Sequence, residues 1–237
     1  MYKLTIDQGN TRTKAALFNH DTIVKRLDSP TISSIETLAK TAHQIILSSV
    51  KQESELQSIL KSQDIMLQWD TPLPINIIYD KPQTIGHDRL AVAVGAYTLF
   101  PQKNVLCIDM GTCITYDFIS ADNQFLGGGI SPGMEMRYQS LNHYTSQLPL
   151  LKMDSIRLPL IGRSTHQCIH SGVINGLLAE IDGIIQRYMI EFSNLQVVIT
   201  GGDAQFFEKE LKNTIFASPD LLMIGLNKIL DYNETIS

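Results

Sequence analysis

The sequence is short of cysteine, and it opens without a long apolar run. Its three cysteines, Cys107, Cys113 and Cys168, are odd in number and fall in no metal-ligand spacing, so a disulfide framework is not expected. The first residues lead directly into a short β-prone segment, residues 4–6, rather than into the apolar stretch of a signal peptide or a membrane span. These absences indicate a cytoplasmic protein in a reducing compartment, with no membrane as a partner.

Positive charge is also scarce. The chain has 19 Lys and Arg against 24 Asp and Glu, a formal net charge of −5, and no basic run stands out. Because nucleic-acid binding requires a basic patch, nucleic acid is not an expected partner. The Walker pattern G-x-x-x-x-G-K-[ST] and the dinucleotide pattern G-x-G-x-x-G after a strand are absent. Any phosphate must therefore be bound by another design.

The length of the chain allows two domains of ordinary size. With 237 residues, 43% of them hydrophobic and 18% charged, it can bury either one large core or two smaller ones. A helix is predicted over residues 89–100, and Pro101 stops it. We therefore predict two domains, residues 1–101 and residues 102–237.

The most informative feature is an internal repeat with an offset of 102 residues, between residues 4–11 and residues 106–112. In both copies a β-prone run reaches an Asp, and a Gly follows after one intervening residue. Second β-prone runs come next, over residues 13–18 and 114–119. Each copy therefore predicts a strand, a tight turn and a returning strand. Mixed strands and helices in two similar halves indicate an α/β fold.

The two predicted turns have the size and the donors to bind phosphate. A Gly lets backbone N–H groups approach an anion closely. Short side-chain donors lie beside the turns: Asn10, Thr11, Thr13 and Thr112. The carboxylates of Asp7 and Asp109 would repel bare phosphate, so they fit only with a cation such as Mg²⁺ in between. The alternative is ordinary hairpin chemistry, which a matched pair of turns makes harder to accept.

The second candidate cluster is Gly86-His87-Asp88-Arg89, at the start of a predicted helix. The guanidinium of Arg89 offers a rigid fork for a carboxylate, and the carboxylate of Asp88 could accept a hydroxyl proton. The alternative is that an Asp near a helix N-terminus only stabilises the helix dipole.

Several weaker patterns complete the prediction. Helices are expected behind Ser33 and Ser34, around residues 56–60, from Ser131 and Pro132 (as N-cap and first residue) toward residue 148, and over residues 164–188, and a buried strand over residues 44–50. In the last helix a stripe that includes Gly172 and Gly176 predicts either domain core or a homodimer interface. The run Gly127-Gly128-Gly129 could cradle phosphate or only allow a bend. The pair His166 and His170 has zinc-like spacing, but packing or surface histidines are expected.

With these residues in place the sequence resembles the type III pantothenate kinases, members of the acetate and sugar kinase, heat-shock chaperone and actin superfamily. The matching segments run nearly end to end: Asp7 to Thr11, Ser48 to Val50, Gly86 to Arg89, Ile108 to Thr112, Leu126 to Gly128 with Ile130, Pro132-Gly133, Leu148-Pro149, Ile161-Gly162 with Thr165, and Thr200 to Gly202. The resemblance implies two actin-like (ribonuclease H-like) lobes with mixed sheets flanked by helices. It also implies ATP-dependent phosphorylation of pantothenate, the first step toward coenzyme A.

The resemblance implies a role for each matched residue. The first phosphate-binding turn would comprise Asp7, Gln8, Gly9, Asn10, Thr11, Arg12, Thr13 and Lys14, and Thr112 would contact ATP phosphate. Asp88 would be the general base, and pantothenate would be held by Tyr79, Gly86, His87 and Arg89, with Thr165 reaching it from the neighbouring subunit of a homodimer. Asp109 would bind K⁺ or NH₄⁺ beside Mg²⁺, and Gly201 and Gly202 would lie near the adenosine.

The sequence departs from the family pattern in three ways. Val92 stands where the family often has Asn, and Cys113-Ile114-Thr115 replaces the usual Ala-Thr-Thr. The middle of the N-terminal half is also shorter than the family pattern. None of these departures removes a proposed catalytic group. Two other functions stay open at this point: a nucleotide-sensing regulatory protein that binds ATP without transferring phosphate, and another small-molecule phosphotransferase on the same fold.

Overall fold

A computed structural model describes residues 1–51, 54–153 and 159–236. Within these ranges the chain forms an α/β fold of strands and helices. The strands are β1 (Tyr2–Gln8), β2 (Thr13–Asn19), β3 (Thr22–Asp28), β4 (Gln44–Ser49), β5 (Ile65–Met66), β6 (Asn76–Ile77), β7 (Val105–Met110), β8 (Cys113–Ile119), β9 (Gln124–Pro132), β10 (Gln196–Thr200) and β11 (Phe216–Ala217). The helices are α1 (Ile32–Ala39), α2 (His87–Leu99), α3 (Met134–His143), α4 (Thr165–Glu191), α5 (Ala204–Glu208) and α6 (Leu221–Ile236).

The first sheet is mixed and has the strand order β3-β2-β1-β4-β5. Strands β1, β2 and β3 form an antiparallel meander, whereas β4 runs parallel to β1 and β5 runs parallel to β4. Side chains alternate across a strand, so Leu4 and Ile6 of β1 enter a core with Ile35 and Leu38 of α1. Thr5 points to the other face, where its hydroxyl contacts Met223 of α6. The sheet therefore has helices on both faces.

The second sheet has the order β11-β10-β7-β8-β9-β6. Its β10 and β11 are parallel to each other, and so are β6 and β9. The central strand β7 contributes Leu106 and Ile108 to a core that also contains Ile199 of β10 and Leu177 and Ile181 of α4. The mixed sheets flanked by helices agree with the predicted fold class.

The chain divides into two compact units. The first unit comprises residues 1–105, 117–127 and 220–237, and the second unit comprises residues 106–116 and 128–219. The first unit is discontinuous because the last helix, α6, packs against α2. The sequence predicted a single boundary after residue 101, which treats each domain as one uninterrupted stretch.

The strand predictions around the repeat are confirmed, whereas one helix prediction is wrong. Ser131 and Pro132 do not begin a helix, because they are the last two residues of β9, and α3 begins at Met134 behind Gly133 and ends at His143. The side chains of β9 alternate between lower and higher exposure, as a pleated strand requires. The residue types of Ser131 and Pro132 favour a helix start, but β9 extends through both residues.

Three other helix predictions need adjustment. The N-cap of α1 is Thr31, whose hydroxyl accepts a hydrogen bond from the N–H of Ser34, rather than either serine. The predicted helix around residues 56–60 is only a short 3₁₀ turn over Glu55–Ile59. The helix predicted from residue 89 begins at His87.

The longest helix, α4, agrees with its predicted position and has Ser164 as its N-cap. Its apolar residues, among them Ile169, Val173 and Ile181, are buried in the second unit. Gly172 and Gly176 are exposed instead, and a Cβ at either would meet no atom within 4 Å. The prediction that these glycines form part of the core stripe is wrong. By length and composition alone, α4 could also cross a membrane.

Replacing Gly225 with alanine is expected to destabilise the first unit strongly. Helices α2 and α6 pack so closely that a Cβ at Gly225 would overlap the carbonyl of Ala91 and also press on the backbone of Gly95. Because the obstacle is backbone, we expect a loss of roughly 3 kcal/mol or more in the free energy of unfolding, measured by urea titration. The control is Gly183→Ala in α4, where a Cβ meets nothing within 4 Å and alanine should be neutral or stabilising. Equal stability of the two variants would contradict this packing.

Candidate active site

The first predicted phosphate turn lies in the first unit, between β1 and β2. Asp7 and Gln8 end β1, and the turn is closed by a hydrogen bond of 3.0 Å from the N–H of Gly9 to the carbonyl of Arg12. Residues 10–12 are exposed, and Thr13 and Lys14 begin β2. The turn therefore presents short polar side chains and backbone amides to solvent at the end of a rigid hairpin.

The neighbouring strand β4 holds the two polar residues that end β1. The parallel register pairs Asp7 with Ser48 and Gln8 with Ser49. The hydroxyl of Ser48 donates to the carboxylate of Asp7 at 3.0 Å, and that of Ser49 donates to the side-chain oxygen of Gln8 at 2.9 Å. Both serines are buried. These contacts fix the orientation of both site side chains.

The environment of Asp7 disfavours its negative charge. Burial is the largest cause, and with repulsion from Asp88 it outweighs the Ser48 hydrogen bond and the positive charge of Lys14, so the pKa of Asp7 is raised to about 6. Two carboxylates close enough to repel each other, one of them desolvated, are a donor set that a hard cation would stabilise. The residues present therefore fit Mg²⁺. Among the described residues, no cluster of three or more His, Cys, Asp or Glu side chains could hold a metal, so phosphate and water oxygens would supply its other ligands.

Asp88 lies in the first turn of α2, behind the N-cap Gly86. One oxygen of its carboxylate accepts a hydrogen bond of 2.9 Å from the backbone N–H of Arg89. The side chain bends back over Gly86, where a Cβ would overlap that oxygen. His87 is tied to the first sheet, because its Nδ1 donates to the carbonyl of Ser49 at 3.2 Å. The helix start is thereby attached to the strand that also holds Asp7 and Gln8.

Arg89 is buried and forms an ion pair with Asp117 of β8. Its Nε and one terminal nitrogen both donate to the same oxygen of Asp117, at 2.9 and 2.6 Å. The ring of Phe125 lies 5.8 Å from the guanidinium carbon. Burial alone would lower the pKa of Arg89, but Asp117 and the hydroxyl of Tyr79 outweigh it and raise the pKa. The predicted substrate residues Tyr79 and Arg89 are therefore neighbours.

The second predicted phosphate turn lies in the second unit, between β7 and β8. Asp109 is the fifth residue of β7, and Thr112 is exposed in the turn. The turn is closed by a hydrogen bond of 2.9 Å from the N–H of Gly111 to the carbonyl of Cys113. Gly201 has φ +97°, and a Cβ there would overlap the carbonyl of Met110 and press on the carboxylate of Asp109. Gly201 is therefore required for the close approach of the loop after β10 to the end of β7.

A cavity of about 400 Å³ opens beside Gly202 in the second unit. Its lining combines the apolar side chains of Met134, Met153 and Phe206 with the polar or charged side chains of Asp203, Gln205, Lys209 and Glu210. Small-molecule sites combine apolar walls with polar groups that fix the orientation of a ligand. The cavity places a candidate ligand pocket next to the two glycines that the sequence predicted to lie near a nucleoside.

Other predicted features have simpler roles in the structure. Gly127 has φ +83° and faces the ring of Tyr79, so it allows β9 to pass close to this ring. Phosphate binding by the glycine run stays a prediction. His170 accepts or donates a hydrogen bond of 2.8 Å with the hydroxyl of Tyr138, in agreement with a packing role. Thr165 is the exposed first residue of α4, and its contact with substrate stays a prediction.

The sequence analysis gave no role to two residues of the site and missed a third. Ser48 and Ser49 were noted only as part of the resemblance, although two serines at the end of an apolar strand are a signal of polar contacts. Asp117 was missed altogether. The available signal was a lone acidic residue between Tyr116 and Phe118 in a strand whose neighbours are buried, because a buried charge needs a partner.

Comparison with known proteins gives a consistent family. The family model described as type III pantothenate kinase matches residues 3–187. A type III pantothenate kinase from Flavobacterium johnsoniae is 42% identical over 239 residues, covering 97% of both chains. The one from Christiangramia forsetii is 43% identical over 98% of this chain and 99% of its own, and the one from Cytophaga hutchinsonii is 46% identical over 80% of each.

Solved structures share the fold. A Baf family transcriptional activator from Campylobacter jejuni is 23% identical with a TM-score of 0.64, over 98% of this chain and 99% of its own. The activator of 2-hydroxyisocaproyl-CoA dehydratase from Clostridium difficile, with bound ADPNP, is 12% identical with a TM-score of 0.56, over 100% and 96% of the chains. At these identities the likeness concerns the fold alone, which agrees with the predicted actin-like class.

Proposed function

The chain belongs to the type III pantothenate kinases, and we propose that it transfers the terminal phosphoryl group of ATP to the 4′-hydroxyl of pantothenate with Asp88 as the general base. This is the first step of coenzyme A biosynthesis. The observation that carries the assignment of Asp88 is its place at the start of α2, close enough to Asp7 to raise the pKa of that carboxyl. The first turn of a helix is rigid, so it can hold the carboxylate of a general base in a fixed position.

Asp88 takes the proton of the substrate hydroxyl as that oxygen attacks phosphorus. The hydrogen bond from the N–H of Arg89 holds one carboxylate oxygen in place, and we assign the second oxygen to the substrate. General-base catalysis requires such a fixed acceptor within hydrogen-bond reach of the proton. Pantothenate is held by Tyr79, Gly86, His87 and Arg89, with the guanidinium directed at its carboxylate.

The turn between β1 and β2 offers the backbone amides and side chains of residues 8–14 as donors to ATP phosphate. In the turn between β7 and β8, the hydroxyl of Thr112 is the proposed donor to ATP phosphate. Asp7 would hold Mg²⁺, which would neutralise charge on the transferring phosphoryl group. Gly201 and Gly202 lie near the adenosine, and the cavity beside Gly202 supports this position. The residues act by positioning and by stabilising charge.

Activity is expected to depend on a monovalent cation bound by Asp109 as well as on Mg²⁺. The carboxylate of Asp109 lies against Gly201. The backbone carbonyl of Met110 is also close to Gly201 and could supply a further oxygen ligand to the cation. Turnover in K⁺ or NH₄⁺ buffer should exceed turnover in Na⁺ buffer by about tenfold or more, and chelation of Mg²⁺ should abolish it. Equal rates in all three buffers, with Asp109→Asn unimpaired, would contradict this assignment.

A homodimer is expected to form through the exposed face of α4. Gly172 and Gly176 leave open space on this face, and Leu160 and Ile161 are exposed with 78% and 77% of their surface accessible. The carbonyl of Leu160 accepts a hydrogen bond from Ser171, which places this apolar segment beside α4. The wild type should elute with twice the mass of one chain in light scattering, and Gly176→Arg should elute as a monomer.

The matched control for the dimer is Thr235→Arg, an exposed position on α6 in the first unit. It should stay dimeric. If Thr165 reaches the substrate of the neighbouring subunit, the Gly176→Arg monomer should also lose activity. A monomeric wild type would contradict both the homodimer and the contact of Thr165 with the neighbouring subunit's substrate. As a member of a metabolic kinase family, the protein is proposed to act in the cytoplasm.

A coupled assay of ADP release, with and without pantothenate, tests the proposed function. Release that depends on pantothenate and requires ATP is expected. ATP binding without such release would favour the regulatory sensor. Release with another alcohol from a panel of acceptors, and not with pantothenate, would favour a different phosphotransferase.

A further inference from the structure

Asp117 is the only wholly buried carboxylate among the described residues, with 0% of its surface accessible, and it pairs with Arg89. Its neighbours in β8 are apolar: Tyr116, Phe118 and Ile119 are all buried. One of its oxygens accepts both hydrogen bonds from the guanidinium. The pair therefore joins the middle of β8 to the first turn of α2.

Stability is a weak reason for such a pair. Two charges lose their hydration on burial, and apolar residues of similar volume often stabilise a core equally well or better. What the pair does provide is orientation, because a guanidinium that donates two hydrogen bonds to one anion loses most of its rotamer freedom. The ring of Phe125 beside the guanidinium restricts it further.

The N–H groups of Arg89 that do not bond to Asp117 are on the side of Tyr79. A guanidinium has five N–H donors, and two of them are given to Asp117. Tyr79 is the next polar contact of Arg89, and its side chain is 37% accessible. Arg89 thus extends from a buried anion on one side to a solvent-facing tyrosine on the other.

We propose that Asp117 is a positioning residue for substrate recognition, which holds Arg89 so that its outward N–H groups meet the carboxylate of pantothenate. The inference rests on the proposed function. Because the positive charge of Arg89 is already balanced by Asp117, recognition depends on the direction of the hydrogen bonds more than on net charge. Binding then costs little side-chain entropy, since the donor is fixed beforehand.

A double-mutant cycle tests this role. Asp117→Asn should raise the KM for pantothenate by about 10- to 100-fold, the range expected for a hydrogen bond to a charged group. Its kcat and its KM for ATP should stay within about threefold of wild type. In an Arg89→Met background the same substitution should have almost no further effect on kcat/KM for pantothenate, because the group through which it acts is gone.

The control variant is Asp64→Asn in the same unit, where the carboxylate accepts hydrogen bonds from the backbone N–H groups of Ile45 and Lys61. It should leave the KM for pantothenate and the KM for ATP unchanged. If Asp117→Asn fails to fold, Asp117→Glu keeps the charge pair while displacing the guanidinium, and it should show the same selective rise in KM for pantothenate. A rise shared equally by ATP, or fully additive losses in the cycle, would overturn the positioning role. A wild type without pantothenate-dependent ADP release would instead overturn the proposed function itself.

Discussion

Replacing Asp88 with asparagine is expected to lower kcat by about 10²- to 10⁴-fold, the usual contribution of a general base. Asparagine has nearly the same shape and keeps an oxygen that can accept the hydrogen bond from Arg89, but it cannot take a proton. Pantothenate and ATP should still bind, so their dissociation constants should change little. The measurement is a single-turnover rate at saturating substrates, together with a thermal melt to establish that the variant is folded.

The control for this experiment is Asp122→Asn, an exposed carboxylate in the turn between β8 and β9. It should retain full turnover. An Asp88→Asn variant with near-normal kcat would remove the base assignment, even if pantothenate kinase activity itself were established.

Replacing Asp7 with asparagine is expected to stabilise the protein and inactivate it at the same time. Burial and the charge of Asp88 raise the pKa of Asp7 from 3.8 to about 6, so the folded state holds this proton more tightly than the unfolded state does. The ionised form therefore costs stability. The cost is absent below pH 3.8, accumulates between 3.8 and 6, and is complete above 6.

At pH 8 the Asp7→Asn variant should be more stable than the wild type by about 1 to 3 kcal/mol, and below the unfolded pKa the two should be equal. Urea unfolding in the presence of a chelator, at pH 8 and at a pH below 3.8, measures the difference. Activity should be lost because the carboxylate assigned to Mg²⁺ is absent. A variant less stable than wild type at pH 8 would show that the carboxylate is held for structural reasons, not for a cation.

Much of the fold could be predicted from local patterns. The two strand-turn-strand segments follow from β-prone runs that end at Asp and Gly, and both are present as β1-β2 and β7-β8. The helix predicted from residue 89 and the long helix predicted from Ser164 are both present, as α2 and α4, although α2 begins two residues earlier, at His87. In these segments local propensity and tertiary packing agree.

Long-range pairing explains what could not be predicted. The partner of Arg89 lies 28 residues away on another strand, and no local spacing connects the two. Ser131 and Pro132 have the residue types of a helix start, but the alternation of β9 determines their conformation. The exposure of Gly172 and Gly176 likewise depends on which face of α4 meets the second sheet, which the periodicity of the helix alone left open.

The mass and the position of phosphate in the product test the central claim most directly. Wild-type protein incubated with ATP, Mg²⁺, K⁺ and pantothenate should yield pantothenate heavier by one phosphoryl group, with ³¹P NMR coupling that places it on the 4′-oxygen. The Asp88→Asn protein should yield none in the same time. ADP formed without phosphorylated pantothenate, or phosphate found on another atom of the acceptor, would contradict the account.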